Sequence, residues 1–115
     1  DRAWMAADVG TALDPSIIES QLSSGLIYGL SAAVMGEITF ADGEVEQFNF
    51  PDYDAFRIGQ VPEIEVRVQE IQSHLGGVGE PGTPPSMPAL ANAIYDLRGE
   101  RIRDLPLNRT LDFAY

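Results

Sequence analysis

With 115 residues, 44% of them hydrophobic, the chain is long enough for one core and too short for two, and its apolar content excludes wholesale disorder. The net charge of −11, with seven cationic side chains that are all Arg, argues against contact dominated by a nucleic-acid backbone. Without Cys there is neither a disulfide framework nor a cysteine-ligated zinc or iron–sulfur site, and the one His, His74, excludes a multi-histidine metal centre and is read as a solvated loop residue.

Residues Arg2 to Val9 read as a strand closed by Gly10. Asp14-Pro15 then marks a helix entry, with Asp as N-cap and Pro at the first helical position. Behind it Ile17, Ile18, Leu22, Leu26, Ile27, Leu30, Ala33 and Val34 recur at three-and-four spacing. The last two turns are apolar nearly all round, which predicts burial on most sides. Gly25 and Gly29 share one face of this helix and permit another backbone or a ligand to come close. The apolar stretch from Gly25 to Gly36 is about 12 residues, too short to span a bilayer. Residues 1–10 lack the basic and apolar pattern of a targeting segment.

Glu37 to Phe40 and Glu44 to Phe50 read as short strands, and Ala41-Asp42-Gly43 between them carries a hairpin signal. Pro51 to Gln60 is a connection in which Asp52 and Arg57 are expected to form a structural ion pair. Trp4 and the other aromatics are expected in the core. Glu63, Glu65, Arg67 and Gln69 alternate with Ile64, Val66 and Val68, the period of a half-buried strand. Pro84-Pro85-Ser86 leads into a second helix over about Met87 to Arg98, with Leu90, Ala91, Ile94 and Leu97 on one face and Gly99 just past its end. The tail from Ile102 has no clear periodicity. This order of elements predicts an α+β domain with two helices on a mixed or mainly antiparallel sheet.

Between the last strand and the second helix, the run GGVGEPGTPP from Gly76 to Pro85 sets one carboxylate, Glu80, in an otherwise uncharged loop. Gly76, Gly77 and Gly79 can bring bare backbone against a ligand and adopt positive φ at little steric cost. Pro81 restricts Glu80 to extended backbone, which aims its carboxylate. Gly and Pro are also the ordinary punctuation of a strand-to-helix loop, so composition alone leaves both readings open.

The segments DVGTALDPSIIESQLSSGLIYGLSAAVMGEITFADGEVEQFNFPDYDAFR, VPEIEVRV, GGVGEPGTPPSMPALANAI and RIRDLPL, in this order, resemble the C-terminal part of the molybdenum hydroxylases, the xanthine oxidase and aldehyde oxidase family. Within it the chain is similar to the molybdopterin-binding large subunits of isoquinoline 1-oxidoreductase-like bacterial enzymes. The resemblance implies that residues 1–115 are the C-terminal portion of a molybdopterin-binding oxidoreductase domain and a piece of a longer chain. It implies that Glu80 is the catalytic base, that Gly77, Val78 and Gly79 line the cofactor through their backbone, and that Gln21 lies against the pterin. An amide suits a heterocycle edge because it both donates and accepts. The family pattern has an acidic residue and a glycine after this glutamine, whereas here Ser23 and Ser24 stand before Gly25.

The implied reaction is hydroxylation of an N-heteroaromatic or aldehyde carbon with oxygen from water. The implied cofactor is a molybdopterin-type molybdenum cofactor, in its cytosine dinucleotide form, held by the full enzyme and not by these residues alone. No residue here is implied as a metal ligand. The implied partners are the remainder of the large subunit, a separate 2Fe–2S iron–sulfur subunit and the small-molecule substrate. By itself the 115-residue module is expected to be inactive, serving only as a folding or protein-interaction unit. Bacterial cytoplasm and periplasm both remain open as its location.

Overall fold

In a computed structural model describing residues 2–113, the elements run β1 (Arg2–Asp8), α1 (Pro15–Val34), β2 (Phe40–Ala41), β3 (Glu44–Val45), β4 (Glu63–Gln69) and α2 (Thr83–Arg98). This is the α+β arrangement that the order of patterns predicts. β1 and β4 pair in parallel from Arg2 opposite Glu63 to Asp8 opposite Gln69, while β2 and β3 pair antiparallel. The sheet content is therefore mixed, and antiparallel pairing is confined to the hairpin. Parallel neighbours need a long crossover, and the crossover here carries α1.

Both long strands alternate exposed and half-buried residues. Ala3, Met5 and Ala7 are paired with Ile64, Val66 and Val68, so the small and branched residues of the two strands share one face. Against that face pack Val9, Ile18 and Leu22, with Val78 joining from the loop after β4. A second cluster of Val34, Ile94 and Leu107 lies at the other end of α1 and gathers Phe56, Leu90 and Ile102. α1 thus belongs to both cores, and its last two turns are buried or half-buried apart from Tyr28. The tail, which shows no period, supplies Leu107 at 1% exposure.

Trp4 is not in the core. It is 67% exposed on the outer face of β1, because Ala3, Met5 and Ala7 take the inward positions and alternation sends Trp4 the other way. Phe40, Phe48 and Phe50 are exposed as well.

The caps follow the sequence. The Asp14 side chain accepts the N–H groups of Ser16 and Ile17, with Pro15 beginning α1. Gly99 takes the left-handed conformation at φ 69° and its N–H bonds the Tyr95 carbonyl, ending α2. α2 begins at Thr83, earlier than the expected Met87, since Pro84 and Pro85 occupy first-turn positions whose N–H groups would have no partner within the helix. The hairpin turns at Asp42 and Gly43, with φ of 52° and 85°, but its strands are shorter than expected. Beyond them the Gln47 amide takes over, accepting from the Thr39 N–H and donating to the Thr39 hydroxyl, both at 2.8 Å. The expected pairing of Asp52 with Arg57 is replaced by a local cap, in which Asp52 accepts the N–H groups of Phe48 and Asn49 at 3.0 Å. A short carboxylate next to unpaired backbone donors is satisfied more readily there than by a distant side chain.

Candidate active site

The stretch that leads from β4 into the glycine loop is anchored by Asp8. Its carboxylate, at the end of β1, accepts the N–H groups of Gly10 at 3.1 Å, Ile71 at 2.9 Å and Gln72 at 3.1 Å. The Gln72 side chain returns a bond to the Asp8 carbonyl, and the Gly76 N–H bonds the Val9 carbonyl at 2.9 Å. Gly10, at φ 70°, has to be glycine, because a Cβ there would overlap the His74 carbonyl.

The Ile71 N–H first, then those of Gly10 and Gln72, hold the Asp8 carboxyl below the ordinary carboxylate range. A depressed folded-state pKa contributes stability that is fully present above the unfolded value of about 3.9 and is lost as pH falls through the folded value. Acid unfolding of the wild-type chain, followed by circular dichroism, is expected to include this loss. Asp8→Asn should be less stable at neutral pH and lack that step.

From Val78 onward the loop is laid along α1. Val78 is half-buried in the first core, and the Gln21 amide nitrogen donates to the Gly79 carbonyl at 2.5 Å. A turn follows, closed by the Thr83 N–H on the Glu80 carbonyl at 3.0 Å, and the Thr83 hydroxyl donates to the Gly25 carbonyl at 3.1 Å. Gly82 lies on the helix itself: a Cβ there would stand 2.5 Å from the Leu22 carbonyl oxygen. On the α1 side, a Cβ on Gly25 would come within 3.2 Å of the Gly82 Cα, and one on Gly29 would run into the Ser86 hydroxyl. The glycine spacing on α1 therefore admits a backbone. Gly82→Ala is expected to lower stability by about 1–3 kcal/mol by overpacking this crossing, measurable by denaturant unfolding.

The sequence-derived site residues fall into one neighbourhood. Gln21 and Gly79 are joined directly, Val78 is the apolar plug, and Gly77 and Glu80 are exposed beside them. The Glu80 carboxylate has no hydrogen-bond or ionic partner among the described residues. A Cβ on Gly77 or Gly79 would meet nothing within 4 Å, so their openness faces outward. Positive φ is not what the loop's glycines provide, since the glycines that use it among the described residues are Gly10, Gly43 and Gly99. Asp8, Gly82 and Thr83 escape the sequence reading. Their roles depend on contacts across about 60 positions, and only the α1 glycines hinted at one of them.

No three His, Cys, Asp or Glu side chains gather as metal ligands among the described residues. No helix among them is long and apolar enough to cross a membrane.

A model of the molybdopterin cofactor-binding domain matches residues 1–62. The chain is 39% identical, over 96% of its length, to an isoquinoline 1-oxidoreductase subunit beta from Brevundimonas diminuta, of which it covers 14%. It is 32% identical, over 90% of its length, to an aldehyde oxidoreductase molybdenum-binding subunit from Escherichia coli, covering 15% of it. Among solved structures, a reconstituted CO dehydrogenase from Oligotropha carboxidovorans superposes at a TM-score of 0.74 with 28% identity, over 86% of this chain and 14% of the other. The chain thus spans about one-seventh of the length of these relatives.

Proposed function

Because this chain belongs to the molybdopterin cofactor-binding domain family of bacterial molybdenum oxidoreductases, we propose that it furnishes the catalytic base and one wall of the cofactor pocket in a molybdenum hydroxylase. The carrying observation is that Glu80 is fixed on both sides by bonds to α1 or within its own turn, yet its carboxylate is left without a partner. A carboxylate with no structural task, on a backbone that is held, is available as a proton acceptor.

The residues fit the cofactor. The space around Gly77 and Gly79 is open, and the N–H groups of Gly77, Val78 and Gly79 meet no acceptor among the described residues, which suits a ligand held through backbone. The chemistry that the bound cofactor would supply is a water made more acidic and an acceptor for the two electrons of the oxidised carbon. Glu80 takes the proton from the attacking water. Val78, seated in the first core, keeps the bare stretch on either side of it from moving. Gln21 secures the Gly79 carbonyl with its amide nitrogen, which leaves its amide oxygen free to accept a bond and would suit the edge of a pterin.

The substrate would be an N-heteroaromatic or aldehyde carbon, and the cofactor the cytosine dinucleotide form. The partners would be the remainder of a large subunit and a 2Fe–2S subunit that brings electrons away. The isolated module would bind no cofactor and turn nothing over. Turnover and molybdenum content of the full subunit carrying Glu80→Gln test the reading, and elemental analysis of the isolated chain tests its last clause. Stoichiometric molybdenum on the isolated chain would overturn that clause.

A further inference from the structure

We infer that Thr83 is a positioning residue for Glu80, acting through two bonds made by one residue: its N–H to the Glu80 carbonyl and its hydroxyl to the Gly25 carbonyl on α1. This rests on the reading of Glu80 as the base.

Three observations lead to it. Glu80 is exposed and its side chain makes no contact that could fix it, so its backbone is the part of it that this chain holds in place. On the N-terminal side that backbone is held at Gly79 by Gln21. On the C-terminal side the chain is Pro81-Gly82, neither of which has a side chain able to bond α1, and the first residue that can is Thr83. Its two bonds differ in kind. The N–H closes the turn on Glu80, and the hydroxyl ties that turn to a carbonyl of α1.

The Gly25 carbonyl lies within the helix, where its position is set by α1 and by both cores. The hydroxyl therefore references Glu80 to the most buried element of the molecule. Gly82 presses on Leu22 and Leu26 from the same side, so the hydroxyl bond fixes the sliding of the turn along α1 while packing fixes its height. Loss of the bond leaves the height and frees the sliding. A base displaced by about 1 Å along a surface still binds nothing wrongly, but it transfers protons more slowly.

The test is steady-state kinetics on the full subunit loaded with its cofactor, using an N-heteroaromatic substrate and an aldehyde. Thr83→Val, which keeps shape and removes the hydroxyl, is expected to lower kcat about 10–100-fold with KM and molybdenum content near wild type. Thr83→Ser, which restores the hydroxyl, is expected to recover most of kcat. Thr83→Ala adds no atom to the interface and repeats the experiment should the valine variant misfold. Wild-type kcat in both Thr83→Val and Thr83→Ala, or a serine variant as slow as the valine one, would overturn the inference. Glu80→Gln measured in parallel separates the two claims: if it is inactive while Thr83→Val is not, only the positioning role fails, and if it is active, the base assignment fails first.

Discussion

In the full subunit, Glu80→Gln is expected to lower turnover by about 10²–10⁴-fold, the usual worth of a positioned general base, while molybdenum content and unfolding midpoint stay unchanged. The amide matches the carboxylate in shape and cannot accept the proton. The substitution removes no side-chain contact within the chain, because the Glu80 carboxylate has none among the described residues, and the bond of its carbonyl to the Thr83 N–H is kept. A purely structural residue would show the opposite pattern, with stability falling and turnover following only in proportion to misfolded protein. Inductively coupled plasma analysis for molybdenum beside initial-rate measurements distinguishes the two. Turnover retained at wild-type rate would sink the base assignment.

Leu22→Ala is expected to cost the chain about 2–5 kcal/mol, against a total stability of about 5–15 kcal/mol for a domain of this kind. Leu22 is 1% exposed and sits beside Ile18 where α1 meets Val9 and the inward residues of β1 and β4. The same residue gives the carbonyl on which Gly82 rests, so the cavity opens directly beneath the loop. Urea unfolding should show a lower midpoint at an unchanged slope. Ile17→Ala, one turn earlier and 63% exposed, serves as the internal comparison and is expected to stay within about 0.5 kcal/mol of wild type.

Local chemistry was legible in the sequence. Asp14-Pro15, Asp42-Gly43 and Gly99 each announce a backbone event that depends on neighbours within four residues, and each occurs where read. The alternation from Glu63 also becomes a strand. What escaped is decided across the chain. Parallel pairing of β1 with β4 depends on the path of the crossover, which no local period records. Trp4 has core chemistry and an outward position, because register and not hydrophobicity chooses the face. Leu107 reaches the second core from a tail with no period, through tertiary packing and a short turn whose N–H groups at Thr110 and Leu111 bond its carbonyl.

The site divides in the same way. Glu80 among glycines and prolines was visible as an aimed carboxylate, and the resemblance supplied a role for it. Its fastening was not visible, because Gln21 to Gly79 and Thr83 to Gly25 each join residues 58 positions apart. Asp52 shows how such reading misleads in a particular direction. Its carboxylate was paired with Arg57 on spacing, and it is taken by the backbone N–H groups of Phe48 and Asn49.

Where side chains separate two helices, rotamer changes can absorb a shift of one against the other. At Gly25 and Gly82 there is nothing to rearrange, since the surfaces in contact are main chain on both sides. A displacement of α1 at Gly25 therefore meets the backbone of the turn through Gly82 with no rotamer between them to take it up.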